Sequence, residues 1–413
     1  MFLSTCRISK RCGSKSLLSL ICCSQSYSLW SMTKDRDLEL ALSRNRRWIV
    51  NNQIKNIIMR SPGHVVSVKD LQKKFKTLDC QGKALNWVRK YPCCFDVFIE
   101  GDTYFCRLSK QILSLVKEEE EAREMQEPAL VQRLAKVLMM SSNHKLNVVK
   151  LNELKRNFGL PDDYIVRFVL NHPDLFRLVN HCGRRGTMEI ELLTWNSEWA
   201  VSAIEAMAIE QGRDACFSCS LPPTWVKSIE KFHDFNSTPY ISPYNSPSGL
   251  SEGTKEMEKR TVGLVHELLS LTLWKKVSIE KLSHFRKEFI LPLKPNVLLL
   301  KHPGIFYVSN RYKIYTVLLR EAYCCSELID KDPLVVVKDK FGDLMQGGLH
   351  ERNRRNFEAN LEKTRKKGIT ANMVRKNKDQ FVEISSEGNA KTEGFFNPEE
   401  RKRFYKALLG DDP

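Results

Sequence analysis

Cys216-Phe-Ser-Cys219 has the spacing of a zinc-ligand pair. A structural zinc site takes four ligands, and only His181, Cys182 and His233 stand close enough in sequence to complete it. The pair therefore reads as buried or incidental thiols, and no metal is expected. His172 and His302 each precede a proline, but Tyr91 holds the same place in another copy of the surrounding pattern. A phenol cannot do the ligand or acid–base work of an imidazole near neutral pH, so these positions read as packing residues at helix ends. No phosphate-cradling glycine loop, dinucleotide fingerprint, H-E-x-x-H or G-x-S-x-G occurs in the chain. Neither a cofactor nor an enzymatic activity is expected.

The chemistry the chain does offer is cationic and aromatic. Basic residues recur beside the repeated pattern: Lys73, Lys74, Lys76, Arg89 and Lys90, then Lys155, Arg156 and Arg167, then Lys281, Arg286, Lys287 and Lys301. Aromatic residues fall in the stretches after them, namely Phe98, Tyr104, Tyr307, Tyr312 and Tyr315. Cations that track a phosphate backbone and rings that stack bases are the two parts of a single-strand RNA site. From this set, Lys73, Lys74, Arg89, Lys90, Lys155, Arg156, Arg167, Arg286, Lys287, Lys301, Tyr104 and Tyr312 are the candidate RNA contacts.

The charge balance agrees. The net charge of +17 is unevenly spread: residues 1–34 carry +5, 350–378 carry +7, 379–413 carry −3, and the body 35–349 carries +8. A basic body suits a polyanionic partner. The first acid is Asp35, and the stretch before it holds Arg7, Lys10, Arg11, Lys15 and nine serines. That acid-poor, Arg/Ser-rich composition predicts an organelle transit peptide over 1–33, with mitochondrion favoured over chloroplast by the early arginines. Apolar runs such as Leu17 to Cys23 are too short to span a bilayer. Several of the thirteen cysteines are neighbours, Cys93-Cys94 and Cys324-Cys325 among them, which argues against a disulfide framework.

The elements that must position these residues come from internal repetition. Three segments, 68–108, 149–195 and 279–320, share one order. Each opens with a basic amphipathic stretch ending at Phe75, Phe158 or Phe289, in which Leu71, Leu154 or Phe285 stands four residues earlier on the same helix face. A second apolar stretch stops at Tyr91-Pro92, His172-Pro173 or His302-Pro303, because proline disfavours helix in the residue before it. Phe95, Phe176 or Phe306 follows three residues after the proline and opens an alternating run with a turn inside it, which predicts a β-hairpin. The expected fold is α+β, predominantly α-helical, with three diverged helix–helix–hairpin units packed as one array. A Ser/Pro-rich loop is expected over 235–253, a solvated acidic helix over 117–127, and a basic polar tail, partly disordered, over 331–413.

On these residues the sequence resembles the plant organelle RNA recognition domain family over 34–330. The likeness runs from Lys34-Asp-Arg-Asp-Leu through Val88-Arg-Lys-Tyr-Pro-Cys-Cys-Phe, Leu170-Asn-His-Pro-Asp-Leu-Phe and Pro239-Tyr-Ile-Ser-Pro-Tyr to His302-Pro-Gly-Ile-Phe-Tyr-Val-Ser and Thr316-Val-Leu-Leu-Arg-Glu-Ala-Tyr. It implies a plant protein of mitochondria or chloroplasts that binds organellar intron RNA and promotes group II intron splicing with other nuclear-encoded factors. Neither membrane insertion nor DNA binding is expected. Two other readings stay open from the residues: an interaction module within an organellar ribonucleoprotein, and an unrecognised RNA-processing enzyme.

Overall fold

The computed structural model of the protein describes residues 34–366, apart from 44–45, 76–77, 79–81, 181, 252 and 312–314. The expected leader over 1–33, Lys76, the candidate Tyr312 and the tail beyond 366 lie outside the described residues.

The recurring pattern folds three times into one small α/β unit. Unit 1 runs α2 (Arg46–Met59), β1 (Val65–Ser67), α3 (Val68–Lys74), α4 (Ala84–Lys90), β2 (Phe95–Glu100), β3 (Thr103–Leu108), after a short α1 (Arg36–Ala41). Helices α5 (Lys110–Met125) and α6 (Glu127–Met139) lead into unit 2, with β4 (Lys145–Asn147), α7 (Val148–Phe158), a π-turn over Ile165–Val169, β5 (Phe176–Asn180) and β6 (Met188–Leu192). Then α8 (Ala203–Gln211) and α9 (Val226–Asn236) intervene. Unit 3 follows as α10 (Lys255–Ser270), β7 (Lys276–Ser278), α11 (Ile279–His284), α12 (Pro295–Lys301), β8 (Phe306–Ser309) and β9 (Thr316–Leu319). A two-stranded ribbon, β10 (Tyr323–Cys324) with β11 (Glu327–Leu328), precedes the long α13 (Pro333–Lys366).

The protein is thus α+β and predominantly helical, and each unit holds more than helix–helix–hairpin. A leading helix and a three-residue strand precede the expected elements, and that strand pairs with the third, giving the sheet orders β1-β3-β2, β4-β6-β5 and β7-β9-β8. This is the connectivity of a winged helix-turn-helix, with the hairpin as the wing. Three residues are too few for alternation to reveal such a strand. Each copy enters it through a non-glycine residue in the left-handed region: His64 (φ 55°), His144 (φ 54°) and Lys275 (φ 47°).

The aromatic-Pro-x-x-Phe motif is the same joint in all three copies. The carbonyl of Tyr91, His172 or His302 accepts from the backbone N–H of Phe95, Phe176 or Phe306 at 3.0 Å. It also accepts from the preceding residue: Cys94 at 2.9 Å, and Leu175 and Ile305 at 3.1 Å. The carbonyl of that preceding residue then takes the N–H leaving the last strand: Ser109 on Cys94, Leu193 on Leu175, Arg320 on Ile305. Proline has no N–H to compete, so one carbonyl ends the second helix and fixes where the sheet begins. The phenylalanine it delivers is buried in every copy.

Units 2 and 3 share one core, from Leu130 through Phe158, Phe168 and Ile190 to Val265, Phe289 and Leu319. The Ser/Pro-rich loop docks on it. Tyr244 Oη donates to buried Glu267 at 2.8 Å, Tyr240 Oη meets Ser202 Oγ at 2.9 Å, and Lys259 and Arg260 of α10 reach the carbonyls of Thr238 and Asn245. Unit 1 has its own core, and α13 completes it with Phe341, Met345 and Leu349. The region expected to be a polar tail from 331 therefore begins as structural helix. Its buried side chains are spaced widely among Lys, Asp and Gly, which hides them in composition. The acidic 117–127 stretch is also less solvated than expected: α5 packs along α13, and Glu119 pairs with Lys55 at 2.7 Å. At the other end α1 crosses to unit 3, where Leu38 and Leu42 pack on Tyr307 and Leu318. Asp35 pairs with Arg320 at 3.0 Å there, and Tyr307 Oη donates to Glu39 at 2.8 Å.

The seat of α13 on unit 1 is close enough to demand a glycine. A Cβ added at Gly348 would overlap the Cys93 thiol and lie 2.8 Å from its Cβ. Gly348→Val should destabilise the protein by about 1–3 kcal/mol through overpacking. Adding Cys93→Gly should return much of that loss; a double-mutant cycle on urea-unfolding midpoints checks it.

Candidate nucleic-acid interface

The candidate cations do not share one face. Lys73 and Lys74 are exposed at the end of α3, Lys73 bridging to Asp70 at 2.8 Å. In unit 2, Lys155 pairs with Asp162 at 2.7 Å, and Arg167 with Glu127 at 2.9 Å and Glu120 at 3.3 Å, while Arg156 is exposed. In unit 3, Arg286 and Lys287 are exposed after α11, and Lys301 pairs with Glu258 at 2.5 Å. Lys281 points inward and donates to the Glu153 carbonyl at 2.6 Å. Tyr307, expected on an exposed hairpin, is buried under α1; Tyr315 is half exposed. Much of the basic charge in units 2 and 3 therefore closes the array instead of facing a ligand.

Unit 1 differs. Arg89 lies over the Tyr104 ring at 5.1 Å, and its carbonyl accepts from Arg352 Nη1 of α13 at 3.2 Å. Burial pushes the Lys90 ammonium down, and the nearby charges of Arg47 and Arg352 push it further the same way. Arg47, Arg89, Lys90 and Arg352, from α2, α4 and α13, thus converge with Tyr104 at one corner. Glu351, the carboxylate next to Arg352 in the chain, is engaged by Arg354 at 3.0 Å and Arg355 at 2.9 Å.

The corner departs from its copies at one equivalent position. Arg47, Glu127 and Glu258 stand at the same distance in sequence before the first strand of their units. In unit 2 the acid takes Arg167. In unit 3 it takes Lys301 and His302, the counterparts of Lys90 and Tyr91. In unit 1 an arginine stands there and the sign is reversed. Arg89, Lys90 and Tyr104 are legible from sequence, whereas Arg47 and Arg352 are not, because they join through the packing of α2 and α13. Aligning the leading helix of each unit would have exposed the Arg/Glu/Glu difference.

The sheet faces turned away from the cores differ as well. Unit 3's is covered by α1. Unit 2's is polar, Glu191 meeting Arg177 at 2.7 Å and Lys145 at 3.8 Å. Unit 1 instead carries Phe98 paired across the strands with Phe105, their rings stacked at 5.9 Å and 23°. Arg107 lies over Phe98 at 5.4 Å and reaches Asp96 at 3.6 Å. Neither ring belongs to the unit 1 core.

Among the described residues no group of three or more His, Cys, Asp or Glu is placed to hold a metal, and no helix is long and apolar enough to cross a membrane. Cys219 packs against Gly304, beside the third joint.

Three fused winged helix-turn-helix units, basic overall and with one cationic corner, define the protein as an α+β repeat scaffold. More particularly, the chain belongs to the plant organelle RNA recognition domain family, whose model matches residues 33–350. It is 32% identical over 332 residues to Protein WHAT'S THIS FACTOR 1 homolog, chloroplastic, of Arabidopsis thaliana, covering 76% of this chain and 62% of that protein. It is 31% identical to Protein ROOT PRIMORDIUM DEFECTIVE 1 of the same plant (70% and 76% covered). With Protein WHAT'S THIS FACTOR 9, mitochondrial, it shares 29% (73% and 81%). The chain spans less than two thirds of the length of the first of these relatives. No solved structure matches it. The match to residue 350 takes in the α13 residues buried against unit 1, beyond the boundary at 330 expected from sequence.

The Glu258 corner gives a pH test. Burial would raise the Glu258 carboxyl, but hydrogen bonds from His302 (2.7 Å) and Lys301 overcome it and hold the group at about 2. His302 is lowered by burial, which Glu258 only partly offsets. Both groups bind protons less readily folded than unfolded, so both stabilise at higher pH and lose that contribution as pH falls. For Glu258 the loss runs from the ordinary glutamate range, about 4.3, down towards 2. Glu258→Gln should flatten the pH dependence of stability in that window, read by denaturant titration from about pH 5 downwards.

Proposed function

We propose that this protein binds intron RNA inside a plant organelle and promotes group II intron splicing without catalysing a step itself. The observation that carries this reading is membership of the RNA recognition family across nearly all the described fold. The relatives named chloroplastic and mitochondrial support an organellar site of action. The early arginines Arg7 and Arg11 favour mitochondria.

The mechanism needs only differential affinity. A rigid array that binds the folded, splicing-competent RNA more tightly than misfolded forms shifts the population towards it by that difference. Lysine and arginine contacts supply affinity by releasing counterions from phosphates, while stacked or edge-contacted bases supply selectivity. Other nuclear-encoded splicing factors would share the same RNA.

Sequencing the RNA that co-purifies with the tagged protein from isolated mitochondria, with chloroplasts in parallel, tests the reading. Enrichment of one or a few group II introns is expected, and binding of those transcripts in vitro should weaken steeply with salt. Absence of intron enrichment in either organelle would overturn it.

A further inference from the structure

We infer that unit 1 is the RNA-contact unit and takes a single strand: a phosphodiester seats at the Arg47–Lys90–Arg352 corner, and unstacked bases lie on Phe98 and Phe105. This rests on the RNA-binding reading above and assigns it a place and a form of RNA.

The first argument is the sign change between copies. Three units share one fold, and the residue facing the end of the second helix from the leading helix is Glu127, Glu258 or Arg47. With glutamate the corner neutralises its own cation, as Glu258 does with Lys301 at 2.5 Å. With Arg47 it gathers like charges that push Lys90 down. Stability alone favours the glutamate, since gathered like charges cost energy that an ion pair would return. An anion bound there offsets that cost, and a phosphate accepts several cationic donors at once.

The second argument is the bare aromatic face. Phe98–Phe105 of unit 1 stands where unit 2 has Val179–Glu189 and unit 3 has Ser309–Thr316, each a facing pair on adjacent strands. Unit 3's face is covered by α1 and unit 2's is ion-paired, so the one aromatic face is also the one with neither cover. Its companion is Arg107, a guanidinium over a ring, which suits the π-face of a base and the charge of its phosphate. Arg89 joins the two parts, since it adjoins Lys90 on α4 and lies over Tyr104, the strand neighbour of Phe105. A strand crossing the wing meets cations on one side and rings on the other. Duplex RNA keeps its bases stacked and could not use the rings.

The test uses the full chain, a short labelled single-stranded RNA of mixed sequence, and the same RNA as a duplex. Arg47→Glu rebuilds the unit 3 arrangement in unit 1, so thermal stability should be kept or raised. Single-strand affinity should fall about tenfold or more, with a salt slope shallower by about 0.7 for each phosphate that is no longer neutralised. Phe98→Leu with Phe105→Leu keeps apolar strand residues; affinity should fall about tenfold, as expected when stacking is removed, with the slope unchanged. Unaltered affinity and slope in both variants, or tighter binding of the duplex, would overturn the assignment. If the rings serve a protein partner instead, the Phe variants bind RNA normally, which also overturns it. Absence of salt-dependent binding by the unaltered chain would overturn the RNA-binding reading itself, and this site with it.

Discussion

One carbonyl, three times over, holds the architecture: the backbone oxygen of Tyr91, His172 and His302, each accepting two N–H groups from the residues that open the next strand. Proline after that carbonyl removes a competing donor and disfavours further helix, so the chain must turn there. The phenylalanine three residues beyond the proline then drops into the core, and the alternation of the strands follows from where it lands. The side chain on the joint is free to vary, from a buried phenol to an imidazole, because the backbone makes the turn. Buried, Tyr91 is pushed up to about 12 and stays neutral. His302 is turned to a different use, held between Glu258 and the Phe235 ring at 4.2 Å.

A unit of this size buries too little surface to stand alone, and the protein resolves that in two ways. Units 2 and 3 merge their cores, with the tyrosines of the intervening loop and the buried cations of α10 pinning the seam. Unit 1 borrows apolar side chains from α13, each of which contributes about 1.5–3 kcal/mol when fully buried. The first described helix meanwhile packs on the last unit, and the last on the first. The array is held at both ends by elements far away in sequence, which makes it one body.

That closure decides which charges are spent. Arg167, Lys155 and Lys301 look in sequence like Arg89 and Lys90, yet they pair with Glu127, Asp162 and Glu258 brought against them by packing. Unit 1 escapes because the leading helix supplies Arg47 where its copies supply glutamate, and because α13 adds Arg352 from the other end of the chain. Divergence among repeats has relieved one copy of the internal neutralisation that the other two keep.

The repeat, its three helix–hairpin segments, the joint and the α+β class are all written in the linear order of residues, because they rest on local physics: a proline's missing donor, a helix face of spacing four, alternation in a strand. Arg89, Lys90 and Tyr104 were legible there too. The leading strands were too short to show periodicity, and the helix from Pro333 hid its buried stripe among charges. Which cations are neutralised, that Tyr307 lies beneath α1, and that Arg47 and Arg352 meet at Lys90 came from three-dimensional packing alone. Each is a meeting of residues far apart in the chain, and a linear pattern carries no term for the charge that packing will set opposite a side chain.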